Sequence, residues 1–416
     1  GEFAGYGVPL QKAWIRFLWE TEQRYWQEMA WFLRNDLKVK SLLVGGQVGF
    51  SPIPIQAELD VVDIHGYWQH PVFPGVAWDP VNWSVGQASM AGDPKGGVLA
   101  DMAMMRVVGK PFIVTEYSHP APNAHASEGF PLLGAYAALQ DWDALFAFAY
   151  SHRRSNWGPG YVTGFFDIDQ HPTKLATIPL LWNLFIRGDV ATPSLRSSVG
   201  ITQEEALEAT RRTGPIFSGE TFGLPREAFF HHPVGVTLDG KNHLPPWDAQ
   251  GRVSDGGALT WVSRSEGQNG YVLVNTDKTK GVIGSAAGRR QVLGEIAITP
   301  GQTRSGSAAI LMTEMEPSKG FWKRTPRRFL LAATADTRNT DMRWRTPTSV
   351  GRDWGRAPSL VEGVRAVIEF RRDSKRPTPR AWALDSRGQR KEEIPLRDNV
   401  LEIGPQYQTL WYEIEW

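Results

Sequence analysis

Leu59-Asp-Val-Val-Asp-Ile-His-Gly-Tyr-Trp68 and Pro111-Phe-Ile-Val-Thr-Glu-Tyr117 are the two stretches that decide the fold. Each begins with apolar residues and turns polar toward its C-terminal end, which is typical of a buried strand that leads to a site. Ala144-Leu-Phe-Ala-Phe-Ala-Tyr150 is a third strand of this kind, and helical segments at about 97–108 and 131–142 separate the three. Strands that alternate with helices predict parallel βα units.

The flanking segments extend this alternation. Residues 9–36 are predicted to form a long amphipathic helix, with Pro9 at its first position. A strand is expected over Leu37–Val44, ending at Gly45-Gly46-Gln47, and a last helix at about 173–187. The apolar residues on one face of the first helix are Leu10, Trp14, Phe17, Leu18, Tyr25, Met29, Phe32 and Leu33.

Long loops follow the polar strand ends, and this order favours a partial (β/α)8 TIM-type barrel over residues 1–195, with chemistry on that face. A doubly wound open sheet is the alternative architecture. It usually has a Gly-rich phosphate turn after its first strand, and the sequence has none there.

From about residue 195 onward, helical periodicity nearly disappears and short alternating segments recur between Gly, Asn, Asp and Pro turns. This pattern of short alternating segments predicts an all-β region of one or two β-sandwiches. A Pro/Arg/Gly-rich stretch around 344–358 divides the region into a β-sandwich domain, 196–343, and a second small one, 344–416. The strand segments are 258–262, 270–274, 308–312, 329–333, 366–370 and 411–415.

Composition excludes several classes of function. The formal net charge is +1, which gives no reason to propose nucleic acid or an anionic membrane as a partner. No apolar run reaches the ~18 residues of a membrane span. Cysteine is absent, so disulfides, thiolate metal sites and a cysteine nucleophile are excluded. The 18 tryptophans include several in Gly/Pro-rich loops, where their flat faces suit sugar rings.

The N-terminus shows no signal peptide. Gly1-Glu2-Phe3 is consistent with a cloning remnant, in which case the natural N-terminus and any export signal lie outside this sequence. The compartment is therefore unknown from the sequence, although a secreted or periplasmic bacterial enzyme is suspected.

Three polar residues meet at the predicted strand ends. Glu116 lies near the C-terminal end of its strand, behind an apolar run. His65 and Tyr67 lie two residues apart on one side of the preceding strand, so both are expected to meet Glu116 on the neighbouring strand. A tyrosine hydroxyl that donates to a carboxylate stabilises and orients the anion.

These segments resemble retaining glycoside hydrolases of clan A, the (β/α)8 cellulases, mannanases, xylanases and β-galactosidases. Val62–Trp68 resembles the sixth strand, Pro111–Tyr117 the seventh, Tyr150–Trp157 the segment after the eighth, and Val44–Gln47 the end of the fifth. The resemblance implies that Glu116 is the nucleophile.

The same resemblance assigns supporting roles. His65 and Tyr67 support the nucleophile and the substrate, and Trp157 forms a sugar platform. Trp68, Gln47 and Trp78 are further expected substrate contacts. No metal and no cofactor is expected.

Such enzymes use a second carboxylic acid about 5 Å from the nucleophile as acid/base. In the family this is a glutamate after an asparagine at the end of the fourth strand, and no Asn-Glu pair precedes the first strand here. A complete barrel needs ~250 residues. The chain is therefore a truncated part or remnant of a longer enzyme, a homo-oligomer whose two half barrels cover each other's open edges, or an enzyme in which Glu128, Glu20 or Glu22 substitutes.

The expected function is hydrolysis of β-linked polysaccharide, endo-glucanase or xylanase-like, with retention of configuration. The alternatives are a non-catalytic carbohydrate-binding remnant and a structural remnant whose β domains mediate protein contacts. Asp167-Ile-Asp169 with Gln170 and His171 suits calcium, but turn-forming acids are the simpler interpretation. His231-His232 is left out of the mechanism because adjacent histidines on a strand point to opposite faces.

Overall fold

The computed structural model describes residues 2–248, 251–263, 270–315, 327–371 and 378–416, so Gly1 lies outside the described residues. The chain is a mixed α/β protein in which a parallel sheet with helices is followed by large antiparallel sheets. Within the described ranges, no helix is both long enough and apolar enough to cross a bilayer. The α-helices are α1 (Glu2–Gly5), α2 (Val8–Asn35), α3 (Ile53–Gln56), α4 (Gly97–Ala103), α5 (Gly129–Leu139), α6 (Pro172–Leu181) and α7 (Gln203–Thr213).

The described part of the chain also contains strands along its whole length. They are β1 (Val44–Gln47), β2 (Val61–Tyr67), β3 (Phe112–Ser118), β4 (Ala144–Ala147), β5 (Ser197–Gly200), β6 (Val234–Thr237), β7 (Leu259–Val262), β8 (Tyr271–Asn275), β9 (Thr279–Gly284), β10 (Gln291–Leu293), β11 (Ile296–Pro300), β12 (Ala308–Glu314), β13 (Arg328–Thr334), β14 (Thr337–Thr340), β15 (Arg356–Val361), β16 (Ala366–Phe370), β17 (Arg380–Leu384), β18 (Arg390–Ile394), β19 (Val400–Ile403) and β20 (Trp411–Glu415).

The first four strands form one sheet in the order β1-β2-β3-β4, and every neighbouring pair is parallel. One face of β2 and β3 is apolar and packs under the helices that cross between the strands. Gly66 permits this packing, because a Cβ there would lie 2.4 Å from the sulfur of Met102 on α4. The opposite face carries Asp63, His65 and Tyr67.

Helix α2 confirms the predicted long helix but buries an unexpected side. Trp19 is buried, and Ile15 and Trp26 pack against the same core. The apolar face read from the sequence is instead exposed: Trp14 and Phe17, for example, keep 49% and 54% of their surface. The helix therefore has two apolar faces, of which only one is covered within this chain.

The antiparallel part consists mainly of two sheets. Eight strands follow the order β18-β17-β20-β13-β12-β9-β8-β7, and four follow the order β10-β11-β16-β19. Two small sheets, antiparallel β14-β15 and parallel β5-β6, complete the part of the chain that the structure describes.

Strand β12 explains how these layers pack. Ala309 and Leu311 belong to the core shared with the parallel sheet, whereas Ala308, Ile310 and Met312 belong to the core shared with the four-stranded sheet. Side chains alternate between the faces of a strand, so the eight-stranded sheet has a core on each side. All seven residues of β12 are accordingly buried.

This layering bears on the predicted domain boundaries. The first core extends from Trp19 to Ala332 and so crosses residue 195. Strands on both sides of residue 343 share the two larger sheets: β12 and β13 lie in the same sheet as β17 and β20. The division predicted at 343/344 thus falls between strands that are hydrogen-bonded into common sheets.

Two local predictions differ from the structure. The strand predicted over Leu37–Val44 begins only at Val44, because Arg34 donates to the carbonyl groups of Val39 and Ser41 and Asp60 accepts from Leu43 N. These side chains take the backbone partners that a strand would need.

Helix α7 was not predicted, although it carries a capping box. Thr202 Oγ1 accepts from Glu205 N at 3.3 Å, and Glu205 Oε2 accepts from Thr202 N at 2.8 Å. The predicted helix at 173–187 is confirmed, but its second half, Trp182–Ile186, is a π-helix.

Candidate active site

Glu116 lies near the end of β3 with 29% of its side chain exposed. Tyr67 OH donates to Glu116 Oε2, and His65 Nδ1 lies 3.2 Å from the same oxygen. The pKa of Tyr67 is raised, first by burial and then by its hydrogen bond to Glu116 and by that carboxylate's charge, so the phenol keeps its proton and remains a donor. The contact predicted from the spacing of His65 and Tyr67 is present.

An extra residue in β3 shapes this site. Ile64 pairs with Val114, but His65 pairs with Glu116, so Thr115 is inserted into the ladder. Such bulges re-aim side chains and are common beside active sites. Here the bulge brings both Thr115 and Glu116 to His65.

The second nitrogen of His65 begins a short relay. Nε2 lies 3.0 Å from Thr115 Oγ1, and that hydroxyl lies 2.7 Å from Asp63 Oδ2. An ionised carboxylate only accepts, so Thr115 donates to Asp63 and accepts from His65 Nε2–H. The ring orientation is therefore fixed, and Nδ1 faces Glu116. Asp63 also accepts from Thr115 N at 3.0 Å.

Gln47 has a positioning contact rather than a free side chain. Its Oε1 accepts from His65 N at 3.0 Å and ties the end of β1 to β2. Gln47 and His65 also line a cavity of about 200 Å³ that is bounded by Phe50, Met102 and Ile216. Phe50 is 81% exposed, so one wall of this cavity faces solvent.

The three predicted tryptophans lie in different surroundings. Trp68 packs partly against the core, and its Nε1 donates to Ala88 O at 2.8 Å. Trp78 is 59% exposed, and its ring centroid lies 6.0 Å from that of His70. Trp157 is also 59% exposed, and its carbonyl accepts from Gln170. Trp78 and Trp157 thus offer open faces, whereas Trp68 is a partly buried anchor.

Aromatic side chains that were not predicted surround Tyr67. Its ring centroid lies 5.2 Å from His70, 5.9 Å from Phe148 and 5.2 Å from Phe166. Phe148 follows β4, and Phe166 lies in the loop beyond Trp157, so three separate loops contribute. They form an apolar wall on one side of the carboxylate and limit the approach of water.

Glu128, an acid/base candidate, is fully buried and held by four groups. Ser89 Oγ, Ala91 N and Ser307 Oγ donate to it at 2.8, 3.0 and 2.5 Å, and His125 Nδ1 lies 3.6 Å away. Burial alone raises the pKa of Glu128, but His125 and the other donors outweigh it and lower the pKa to about 2. A carboxylate that stays ionised cannot donate a proton, so Glu128 is unsuited to this role.

The other two candidates lie on α2. Glu22 accepts from Ser51 Oγ at 2.5 Å and from Trp26 Nε1 at 3.3 Å. Glu20 is exposed one turn from Arg16. Neither is among the hydrogen-bond partners described for Glu116.

The weaker constellations are engaged within the chain. Arg153 pairs with both Asp167 and Asp169, and His152 Nδ1 lies 2.5 Å from Asp167. These contacts make the aspartates part of an ion-pair network, and no group of three or more potential ligands for a metal occurs among the described residues.

Sequence reasoning missed Asp63 and Thr115. Asp63 could have been predicted from the spacing, because it lies two residues before His65 and so shares its face of the strand. Thr115 could not have been predicted, because simple alternation places it on the opposite side of the strand from Glu116. Only the bulge brings both residues to His65.

Comparison of the chain with protein-family models, with curated proteins and with solved structures finds no match. The function of this site therefore has to be inferred from its own geometry.

Proposed function

We propose that this chain carries the nucleophile half of a retaining β-glycan hydrolase. The supporting observation is Glu116, a partly exposed carboxylate that receives Tyr67 OH and faces His65 Nδ1 on one oxygen. Donation from Tyr67 OH favours the ionised form, which attack on an anomeric carbon requires. The second oxygen is left to meet the sugar.

In the proposed reaction, Glu116 attacks the anomeric carbon as the bond to the glycosidic oxygen breaks, and that oxygen takes a proton from water. The glycosyl ester that forms is then hydrolysed, and configuration is retained because the carbon is inverted twice. Trp78 and Trp157 have exposed faces on which further sugar rings can stack. These exposed tryptophans in loops favour an endo-acting glucanase or xylanase-like activity on a polymer.

We also propose that the four parallel strands are half of an eight-stranded barrel, followed by sandwich-like sheets. The polar face of β2 carries Asp63, His65 and Tyr67, as expected for the interior of a barrel near its catalytic end. Both outer strands lack a partner on one side among the described residues. Val44 on β1 and Phe146 on β4 are 45% and 52% exposed.

A second copy is the proposed cover for the open side. The exposed face of α2 offers seven large apolar side chains at roughly 100 Å² each, close to the ~800 Å² per partner of a standard interface. Light scattering after size-exclusion chromatography should therefore give twice the mass of one chain. A single-chain mass at micromolar concentration would remove this part of the proposal.

The nucleophile is best tested apart from the proton donor. A 2,4-dinitrophenyl β-cellobioside has a leaving group that departs without protonation, so its cleavage depends on the nucleophile alone. The chain should release dinitrophenolate, and Glu116→Gln should reduce the rate by at least ~10³-fold. Glu227→Gln, at an exposed carboxylate that is not an acid/base candidate, is the matched control and should keep the wild-type rate.

Polymer assays complete the test. Reducing-sugar release from carboxymethyl-cellulose, barley β-glucan and xylan is expected in the wild type and not in Glu116→Gln. Equal activity in both proteins excludes Glu116 as the nucleophile.

A non-catalytic carbohydrate-binding remnant is the second candidate. The observation that favours it is the engagement of Glu128 with Ser89 and Ser307 and of Glu22 with Ser51, which leaves neither acid free. Retarded migration in glycan-containing gels, together with no release of dinitrophenolate, would support the binder.

A further inference from the structure

A second set of groups with nucleophilic geometry lies outside the glycan site. Ser197 Oγ is 2.8 Å from His232 Nε2, and His232 Nδ1 is 3.0 Å from Asp255 Oδ2. Ser197 opens β5, and His232 lies two residues before β6, its parallel partner strand. The sequence offered no G-x-S-x-G elbow, so only the fold brings these residues together.

The hydrogen-bond directions suit general-base catalysis. Asp255 accepts from His232 Nδ1–H, which leaves Nε2 as the acceptor for the hydroxyl of Ser197. Burial lowers the pKa of His232, and Asp255 opposes this shift, so the ring is neutral near pH 7 and able to take a proton. The Trp247 ring packs edge-on against His232 at 5.4 Å and holds its orientation.

Ser197 borders a cavity of about 350 Å³, which is in the size range of small-molecule sites. Arg106 and Arg196 also line it. Both guanidinium groups contact the carboxylate of Asp141, at 3.1 and 2.7 Å, and Asp143 also acts on the charge of Arg106. The two arginines line the cavity, and these aspartates are not among the residues that line it.

Arg106 supplies a second, independent sign of a ligand. Its side chain is 8% exposed, and its Nε is buried without an acceptor among the described residues. Buried donors in folded proteins nearly always have a partner. A ligand oxygen in the cavity would provide one.

We propose that Ser197, His232 and Asp255 form a nucleophilic triad that hydrolyses small esters carrying a negative charge. Ser197 Oγ attacks the ester carbonyl carbon while its proton passes to His232 Nε2. The bond to the alcohol breaks, and the alcohol leaves with that proton. Water then attacks the acyl group, gives a proton to Nε2, and releases the carboxylic acid as Ser197 Oγ regains its proton.

In this reaction each of the two arginines binds a different negative charge. The backbone N–H groups of Ser197 and Ser198 already donate to Pro233 and His243, so they are not available to the oxyanion. Arg106 therefore stabilises the oxyanion, and the more exposed Arg196 binds the anionic part of the ester.

The test uses the whole chain and two probes. A fluorophosphonate should form an adduct on the peptide that contains Ser197, located by mass spectrometry. The p-nitrophenyl ester of succinate should be hydrolysed at least ~10-fold faster than p-nitrophenyl acetate, because only the former carries a carboxylate for Arg196.

Ser197→Ala should abolish the adduct and lower ester hydrolysis by at least ~100-fold. Ser41→Ala, at an exposed serine that does not line this cavity, should match the wild type. Ser197→Cys, whose alkylation by iodoacetamide should be faster than that of Ser41→Cys, keeps the test valid if the alanine variant folds poorly. The absence of an adduct on wild-type Ser197, or full esterase activity in a folded Ser197→Ala, overturns the proposal.

Discussion

The parallel sheet and the eight-stranded antiparallel sheet bury their strands to different degrees. Every residue of β12 is buried, because one of its faces packs on the parallel half and the other on the four-stranded sheet. The four residues of β4 are only half-buried or exposed, although their sequence, Ala-Leu-Phe-Ala, is just as apolar. Apolar composition alone therefore does not decide burial; the number of layers around a strand does.

Because of this difference, the apolar cores that stabilise the chain and the polar side chains of the candidate site lie in different parts of the molecule. The eight-stranded sheet packs against a core on each of its faces. The open face of the parallel sheet carries the buried Asp63 together with His65, Tyr67 and Glu116, which are partly exposed. The strands thus position these polar groups on one face of the sheet, and the apolar residues that stabilise the strands lie on the opposite face.

Matched isoleucine truncations should give the largest contrast. Ile310 on β12 is fully buried, so Ile310→Ala should lower the free energy of unfolding by about 2–5 kcal/mol. Ile186 is 55% exposed, and Ile186→Ala should cost about 0.5 kcal/mol or less. Urea unfolding measures both. Similar losses would mean that Ile186 is covered in solution.

Removal of one donor at the open face should have the next largest effect. Tyr67→Phe takes away the hydroxyl that donates to Glu116 and keeps the ring. A hydrogen bond to a charged group contributes about 1.5–3 kcal/mol, so dinitrophenyl cellobioside cleavage should fall about 10- to 100-fold. Tyr161→Phe, in the loop after Trp157, is the control. An unchanged rate in Tyr67→Phe would show that Glu116 needs no donor.

Lys174 is a buried ammonium between the two regions, and its replacement should stabilise the protein. It is 2% exposed, its Nζ donates to Ser118 Oγ at 3.1 Å, and burial lowers its pKa to about 7. Lys174→Met removes the desolvation penalty and should raise the free energy of unfolding by roughly 1–3 kcal/mol at pH 7. Lys95→Met, at an exposed lysine, should change it little.

The pH dependence gives the sign of this effect. Between pH 7 and about 10.4 the unfolded lysine holds a proton that the folded one has lost, so wild-type stability rises across this window. Lys174→Met lacks that contribution, and its advantage should shrink as the pH increases. A constant advantage from pH 6 to pH 10, in guanidinium unfolding, would contradict the lowered pKa.

Much of the parallel half could be predicted from the sequence because apolar strand segments alternate with helical segments along the chain. The segments around His65 and Glu116 were placed on neighbouring parallel strands, and the structure pairs these two residues directly. Helix α7 was not predicted because few of its residues are apolar, although Thr202 and Glu205 form a capping box. Which strands of the antiparallel part share a sheet could not be predicted, because pairing such as β11 with β16 joins distant segments.

The candidate site was predictable only where simple alternation holds. His65 and Tyr67 lie two residues apart and meet Glu116 as the spacing indicates. Thr115 reaches His65 through a bulge, and Phe166 reaches Tyr67 through a loop, and neither event has a local sequence signal. The contacts of Ser197, His232 and Asp255 also have no local sequence signal, because only tertiary packing brings these three residues together.

The smallest thermodynamic effect should come from the exposed face of α2. The rings of Trp14 and Phe17 stack 5.5 Å apart and are about half exposed. For a single chain, Phe17→Ser should change the free energy of unfolding by about 0.5 kcal/mol or less, since little burial is lost. Lys12→Ser, on the side of the helix that faces Glu208 rather than on the face of Phe17, is the control.

The same substitution should have a much larger effect on association than on folding. If a second copy covers this face, Phe17→Ser gives single-chain mass in light scattering at concentrations where wild type and Lys12→Ser give twice that mass. The unfolding midpoint of the wild type should then rise with protein concentration, and that of Phe17→Ser should not, because only the dimer couples folding to association. A concentration-independent midpoint in the wild type would mean that the apolar face of α2 stays uncovered, and the contrast between the two halves would then be a property of the single chain.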